Sequence, residues 1–244
     1  MTPSRQAGIA PARGGWVVLI KEGRTAAEQM AIDEQLVASG RATFRLFRWP
    51  RPAVSLGLKQ PAPAWVDPAL LARHGIELIE RPTGGALAVH GSDLSCSVVI
   101  PVACGLTLSE LMERVCRSVA RAVAIFDVPA QWIGERAGSS GRVEYCLTEE
   151  SPYAVMLGPR KLCGFAIRRY AGQWLIQGSL LVRPLPEAFG RVMPAEVLDG
   201  FRTRAVDLEQ AAGGRITDEE LLVQMIESWA QTWAASAPEA AHAL

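Results

Sequence analysis

Arg160-Lys-Leu-Cys-Gly-Phe-Ala-Ile-Arg-Arg169 is the stretch from which the fold is read. Its centre, 162–167, reads as a strand. Gly158-Pro159 before it and Ala171-Gly172 after it read as turns. On either side lie further β-like runs, at 153–157 and 174–182. Three strands joined by two short turns make a meander over 153–182, which requires antiparallel pairing. The stretch also holds Lys161, one of only three lysines in a chain with 25 basic residues. Arginine is a permanently charged planar fork, whereas lysine is a movable amine that can give up a proton. A lysine directly after Arg160 is either a surface residue kept by chance or an amine the chemistry needs.

Working outward, strands are expected at 43–49, 53–56, 76–79, 86–90, 94–100 and 130–133. Three helices announce their starts with a capping box, in which a threonine hydroxyl serves an orphan N–H and a glutamate reaches back. The pairs are Thr25 with Glu28, Thr107 with Glu110, and Thr217 with Glu220. The second leads the stripe Leu111, Val115, Val119, Val123 and Phe126. The third leads Leu222, Met225, Ile226, Trp229 and Trp233. A shorter helix is expected from the cap Asp67 and Pro68 to Gly75. Strict strand–helix alternation is absent, so the expected fold is α+β, with a mixed, mainly antiparallel sheet flanked by helices. No linker divides the chain. Residues 16–234 are expected to form one domain, with a flexible stretch over 1–15, a mobile glycine-rich loop over 134–142 and a frayed tail over 235–244.

With 244 residues, the chain is long enough for a substantial core. Its formal net charge of zero argues against a long nucleic-acid groove or a polybasic membrane surface. No apolar run is long enough to span a bilayer, and residues 1–15 lack the apolar core of a signal peptide, so a cytoplasmic location is expected. Five cysteines without CxxC spacing and three scattered histidines suggest neither a disulfide framework nor a metal site.

Two segments carry candidate chemistry. In Arg81-Pro-Thr-Gly-Gly-Ala-Leu-Ala-Val-His90, paired glycines allow close backbone approach, and their N–H groups could cradle an anion beside Arg81. No Gly-Lys-Ser/Thr ending makes it a P-loop. Taken alone, a tight turn between strands is the better reading. Cys146 follows the glycine-rich loop, fifteen residues before Lys161. A reactive thiolate needs a cation nearby. Taken alone, a buried structural cysteine is the simpler reading. Glu149 and Glu150 read as solvated, and His90 as structural.

Together these segments resemble the lipoate/octanoate protein-acylation superfamily of lipoate–protein ligases, octanoyltransferases and biotin–protein ligases. Met30-Ala-Ile-Asp-Glu34 is similar to its first-helix motif. Phe47-Arg-Trp-Pro50, with Ser55-Leu-Gly57 and Gln60, is similar to the strands that follow. Arg81-Pro-Thr-Gly-Gly85 with His90 matches the glycine-rich acyl-binding motif. Lys161-Leu-Cys-Gly164, Ala166, Arg168 and Gly178-Ser-Leu-Leu181 match the lysine motif and its next strand.

The resemblance implies a biotin/lipoate protein ligase-like catalytic domain with a narrow tunnel for an octanoyl chain, and an acceptor-domain lysine as the site of amide formation. It places Arg81, Thr83, Gly84, Gly85, His90, Gly164, Phe165, Ala166, Gly178 and Ser179 around the substrate. It implies either of two mechanisms. In the cysteine octanoyltransferases the acyl group arrives on acyl carrier protein and passes through a cysteine thioester, with no cofactor. Cys146, followed by Ser151 and Tyr153, fits that group, with Lys161 assisting. In the ligases, ATP and Mg make an acyl-adenylate held by the lysine. The chain lacks the Asn-Asp pair typical of ligases in this region. It departs from the family pattern at Ala86, Phe165 and Gln177, which motivates a third reading as a non-enzymatic acyl-binding module. A lipoyl-acceptor domain and acyl carrier protein are the implied partners of an expected monomer.

Overall fold

The computed structural model of the chain describes residues 10–12, 16–21, 23–134, 145–148, 151 and 153–234. Glu149, Glu150, the tail over 235–244 and most of the loop expected over 134–142 lie outside them. Strands β1 (Ala10–Ala12), β2 (Trp16–Lys21), β3 (Thr43–Phe47), β7 (Asp93–Pro101), β8 (Gln131–Trp132), β9 (Ala154–Leu157), β10 (Arg160–Arg169) and β11 (Gln173–Leu181) form one sheet. Its order is β1-β2-β3-β7-β11-β10-β9-β8. Among the described pairs of this sheet, only β2–β3 is parallel. A second, three-stranded sheet runs β5-β4-β6, with β4 (Ala53–Leu56), β5 (Glu77–Glu80) and β6 (Ala88–His90). The strands expected as one sheet therefore divide into two. Of 1–15, Ala10–Ala12 pair with β2.

Four expected helices are present: α1 (Ala26–Ser39), α2 (Pro68–Arg73), α3 (Leu108–Ala124) and α6 (Asp218–Ala234). Both capping-box hydrogen bonds form at Thr25 and Thr107, and Asp67 accepts from the N–H groups of Ala69 and Leu70. Each cap is worth about 1 kcal/mol. Strand β2 and the helices α4 (Ala195–Arg204) and α5 (Leu208–Ala212) were not expected. Helix α4 starts after Pro194 with no side-chain cap, so it lacks the usual start signal. Helix α5 had one: Asp207 accepts from Gln210 N, and Gly213 closes its end in the left-handed region.

Residue alternation gives the large sheet two unlike faces. Cys96, Val98, Ile100, Phe165, Ile176 and Leu180 join the stripes of α3 and α6 in the main core. Within it, Trp229 stacks on Phe44 with ring centroids 4.1 Å apart. The opposite face is polar and still buried. There Arg45, Ser97 and Gln177 stand side by side on β3, β7 and β11. Asp33 of α1 closes over all three, bonding Arg45 at 2.5 Å and accepting from Ser97 Oγ and Gln177 Nε2, each at 2.6 Å. Burial pushes the Asp33 carboxyl above its usual range despite these partners. Helix α1 thus docks through these hydrogen bonds as well as through Ala26 and Met30, which pack with Phe47, Trp49 and Ala53, and the space between the two sheets and the glycine turn becomes the site. No helix of the described residues is long and apolar enough to cross a membrane.

Candidate active site

The placement of Lys161 depends on a β-bulge. Along β10 the pairing with β9 shifts register between Lys161 and Cys163. Strict alternation would send Lys161 to the core face with Cys163 and Phe165. The extra residue returns it to the polar face beside Gly164. There Lys161, only 1% exposed, donates from Nζ to the backbone carbonyl of Cys146 at 2.8 Å and lies 3.5 Å from Ser151 Oγ.

Cys146 is held from several directions. Its N–H donates to Leu87 O at 2.8 Å, Tyr145 forms a parallel bridge with Leu87, and Trp65 Nε1 donates to the Tyr145 hydroxyl at 3.1 Å. Leu147, next in the chain, is fully buried in the second core. The sulfur lies against Gly164, where a Cβ would stand 3.1 Å from it. Cys96, Cys116 and Cys163 are buried, and burial pushes their thiols up, Cys96 to about 12. Cys146 is part-exposed. Of the cysteines on β7, α3, β10 and this turn, it is the one that solvent can reach.

The Arg81–Gly85 segment connects β5 to β6. Gly85 sits at φ +88°, and a Cβ on Gly57 would lie 2.0 Å from Gly85 O, so that contact requires glycine. The Arg81 guanidinium is turned inward, not out to an anion. It donates to Ser55 O at 3.0 Å, Gly84 O at 2.9 Å and Ala86 O at 2.6 Å, and clamps the turn. Burial pulls its pKa below the usual arginine range, and the Cys146 sulfur pulls it back up. Thr83 Oγ1 donates to Gln177 Oε1 at 2.5 Å, tying the turn to the Asp33 network.

His90 sits in a chain of polar contacts. Its Nε2 is 2.9 Å from Ser55 Oγ, its Nδ1 is 2.9 Å from Asp93 Oδ2, and its ring stacks on Trp49. Ser95 and Ser179 also donate to that carboxylate oxygen, at 2.7 and 2.8 Å, and the Gly91 N–H donates to the other. Burial alone would raise the Asp93 pKa. The His90 charge and these hydrogen bonds outweigh it and bring Asp93 to about 2. Asp93, Ser55 and Asp33 were not among the expected site residues. The His90-x-x-Asp93 spacing was the available signal for the first.

A narrow cavity of about 30 Å³ lies between these groups, with Arg81, His90, Cys146, Gly164, Ala166, Gly178 and Ser179 on its wall. That is room for about one water molecule, smaller than the expected octanoyl tunnel, so an acyl chain enters only if the wall rearranges. Thr83, Gly84 and Gly85 adjoin it. Phe165 is not brought to the site. It pairs with Gly178, and its ring fills the core-face space that a Gly178 side chain would take. Among the described residues, no three His, Cys, Asp or Glu side chains gather as a metal-binding group.

The family model for the lipoyl protein ligase A/B catalytic domain matches residues 25–230. A protein of Symbiobacterium thermophilum named octanoyltransferase LipM is 33% identical over 217 residues, covering 81% of this chain and 79% of its own length. Among solved structures, a lipoate-protein ligase A bound with ATP superposes with a TM-score of 0.73 at 21% identity, covering 91% of this chain and 85% of that one. A bipartite lipoate protein ligase from Thermoplasma acidophilum, described with its E2 lipoyl domain, gives 0.71 at 19% identity, over 89% and 83%. At these identities the two ligases speak for the fold alone.

Proposed function

The chain belongs to the lipoyl protein ligase A/B catalytic-domain family, and on that footing we propose that it transfers an octanoyl (or lipoyl) group from acyl carrier protein to a specific lysine of a lipoyl-acceptor domain. The intermediate is a thioester on Cys146, and Lys161 assists. The observation that carries the reading is the convergence at one niche of a part-exposed thiol and a buried amine, with Nζ 2.8 Å from the carbonyl of Cys146 itself.

In the first half-reaction Cys146 Sγ bonds to the acyl carbonyl carbon. The carbon–sulfur bond to the carrier breaks, and the carrier thiol leaves with the proton that Cys146 gives up. In the second, the acceptor amine bonds to the same carbon, Sγ departs, and a proton from the amine returns to the sulfur. Exchanging one thioester for another is near neutral, so ATP is not required, and covalent capture splits one difficult step into two. The Lys161 ammonium, a movable proton donor, is the proposed shuttle for the proton. A backbone N–H of the Gly84–Gly85 turn is the proposed oxyanion donor, and such a donor is worth about 3 kcal/mol. Burying the octanoyl methylenes contributes on the order of 5 kcal/mol. The protein works in the cytoplasm as a monomer.

Incubation with octanoyl carrier protein, without ATP, leaves one octanoyl group on Cys146 by intact mass, and Cys146→Ser abolishes both adduct and transfer. Full activity in Cys146→Ser, with transfer of free lipoate dependent on ATP and Mg, replaces this reading with the ligase. Failure of both assays with retained octanoate binding replaces it with an acyl-binding module.

A further inference from the structure

Ser55, His90 and Asp93 form an unbroken line of hydrogen bonds, 2.9 Å from hydroxyl to ring and 2.9 Å from ring to carboxylate. All three are buried, and Ser55 and His90 stand on the wall of the cavity that Cys146 also lines. The hydrogens along the line follow from what each group can do. An ionised Asp93 only accepts, so His90 Nδ1 carries a hydrogen, and an unprotonated Nε2 is left to accept from the Ser55 hydroxyl. Arg81 Nη1 donates to the same Ser55 oxygen at 3.2 Å and takes one of its two lone pairs. The other lone pair remains for a donor in the cavity. The line is held rigidly. The His90 ring stacks on Trp49 at 4.1 Å, the Trp49 indole donates to Ser95 Oγ at 2.9 Å, and Ser95 and its cross-strand partner Ser179 both donate to Asp93. Asp33, the other carboxylate buried against this sheet, is not on the cavity wall.

The thioester reading leaves one proton without an acceptor. A lysine amine is protonated near pH 7, and an ammonium has no lone pair with which to attack. One proton must leave before the carbon–nitrogen bond forms, and a second returns to the departing sulfur, with Lys161 as its shuttle. We propose that the Ser55–His90–Asp93 line takes the first. The acceptor ammonium donates to Ser55 Oγ. As its proton passes to that oxygen, the Ser55 hydrogen moves to His90 Nε2, and Asp93 stabilises the resulting imidazolium. The neutral amine then bonds to the acyl carbon, the carbon–sulfur bond breaks, and the imidazolium releases its proton to solvent after the amide product leaves. The Arg81 charge beside Ser55 favours the neutral amine over the ammonium. The proposal rests on Cys146 carrying the acyl group.

The test separates the two amines that can discharge the thioester. Enzyme loaded to completion with octanoyl carrier protein, without ATP, is mixed near pH 7 with a lipoyl-acceptor domain or with hydroxylamine, and loss of the adduct is followed by intact mass. Hydroxylamine is already neutral there and needs no proton taken from it before it attacks. His90→Gln keeps a hydrogen-bonding head that cannot take a proton, and Ser55→Ala removes one oxygen. In both, discharge by the acceptor domain is expected to slow about a hundredfold and discharge by hydroxylamine by less than about tenfold. Equal slowing with both amines shows that these residues only maintain the shape of the site and overturns the proposal, as does unchanged discharge by the acceptor domain. If His90→Gln does not fold, Ser55→Ala decides. A folded Ser55→Ala that cannot be loaded also overturns the proposal, because the line takes no proton in that step. Absence of the adduct on wild-type Cys146 refutes the thioester reading instead, before either amine is added.

Discussion

The Lys161 ammonium donates to the backbone carbonyl of Cys146 at 2.8 Å across fifteen residues of chain. One amine therefore fixes the backbone of the turn that carries the thiol. Helix α4 supports it from behind, because Val206 N donates to Lys161 O at 3.0 Å just beyond the helix end.

Replacing Lys161 with arginine keeps the charge and removes the transferable proton and the compact head. Octanoyl transfer is expected to fall by about a hundredfold or more, in the range of lost acid–base catalysis, with the circular dichroism spectrum retained. Near-wild-type turnover would remove Lys161 from the mechanism.

Gly164→Ala places a methyl 3.1 Å from Cys146 Sγ and 3.2 Å from Cys146 O. The turn yields by a few tenths of an ångström, so stability is expected to drop by only about 1 kcal/mol in urea titration. The sulfur moves with it, and kcat/KM is expected to fall about tenfold, as misplaced reacting groups do. A stable variant with full activity would show that the contact does not set the position of the nucleophile.

Asp93 is held at about 2, below its ordinary 3.8. Its folded-state pKa is depressed, so its contribution is present above about pH 4 and is lost as pH falls toward 2. The difference corresponds to roughly 2 kcal/mol. Asp33 shifts in the opposite direction, so the measurement is the difference between wild type and Asp93→Asn. The stability advantage of the wild type is expected to shrink between about pH 4 and pH 2. A gap that is constant over that interval would contradict the assigned ionisation.

Much of this protein is legible locally. Capping boxes, the Asp67-Pro68 start and the alternation around Arg160–Arg169 are short-range patterns, and the corresponding elements form where they are expected. Helix α1 shows where such reading stops. Its boundaries are set by Thr25 and Gly40, but beside Ala26 and Met30 its buried side includes Gln29 and Asp33, and a search for an apolar stripe passes over the Asp33–Arg45 ion pair.

The sequence by itself determined most of the elements, the meander and the family, and singled out Cys146 and Lys161 as candidates, because caps, turns and motif spacing act over a few residues of chain. The tertiary structure alone decided which way those side chains point. The bulge that swings Lys161 to the polar face, the inward turn of Arg81, and the loss of Phe165 to the core all follow from strand register and close packing between segments far apart in the chain. A shift of one residue in register exchanges the faces of a strand, and nothing in the local sequence records it.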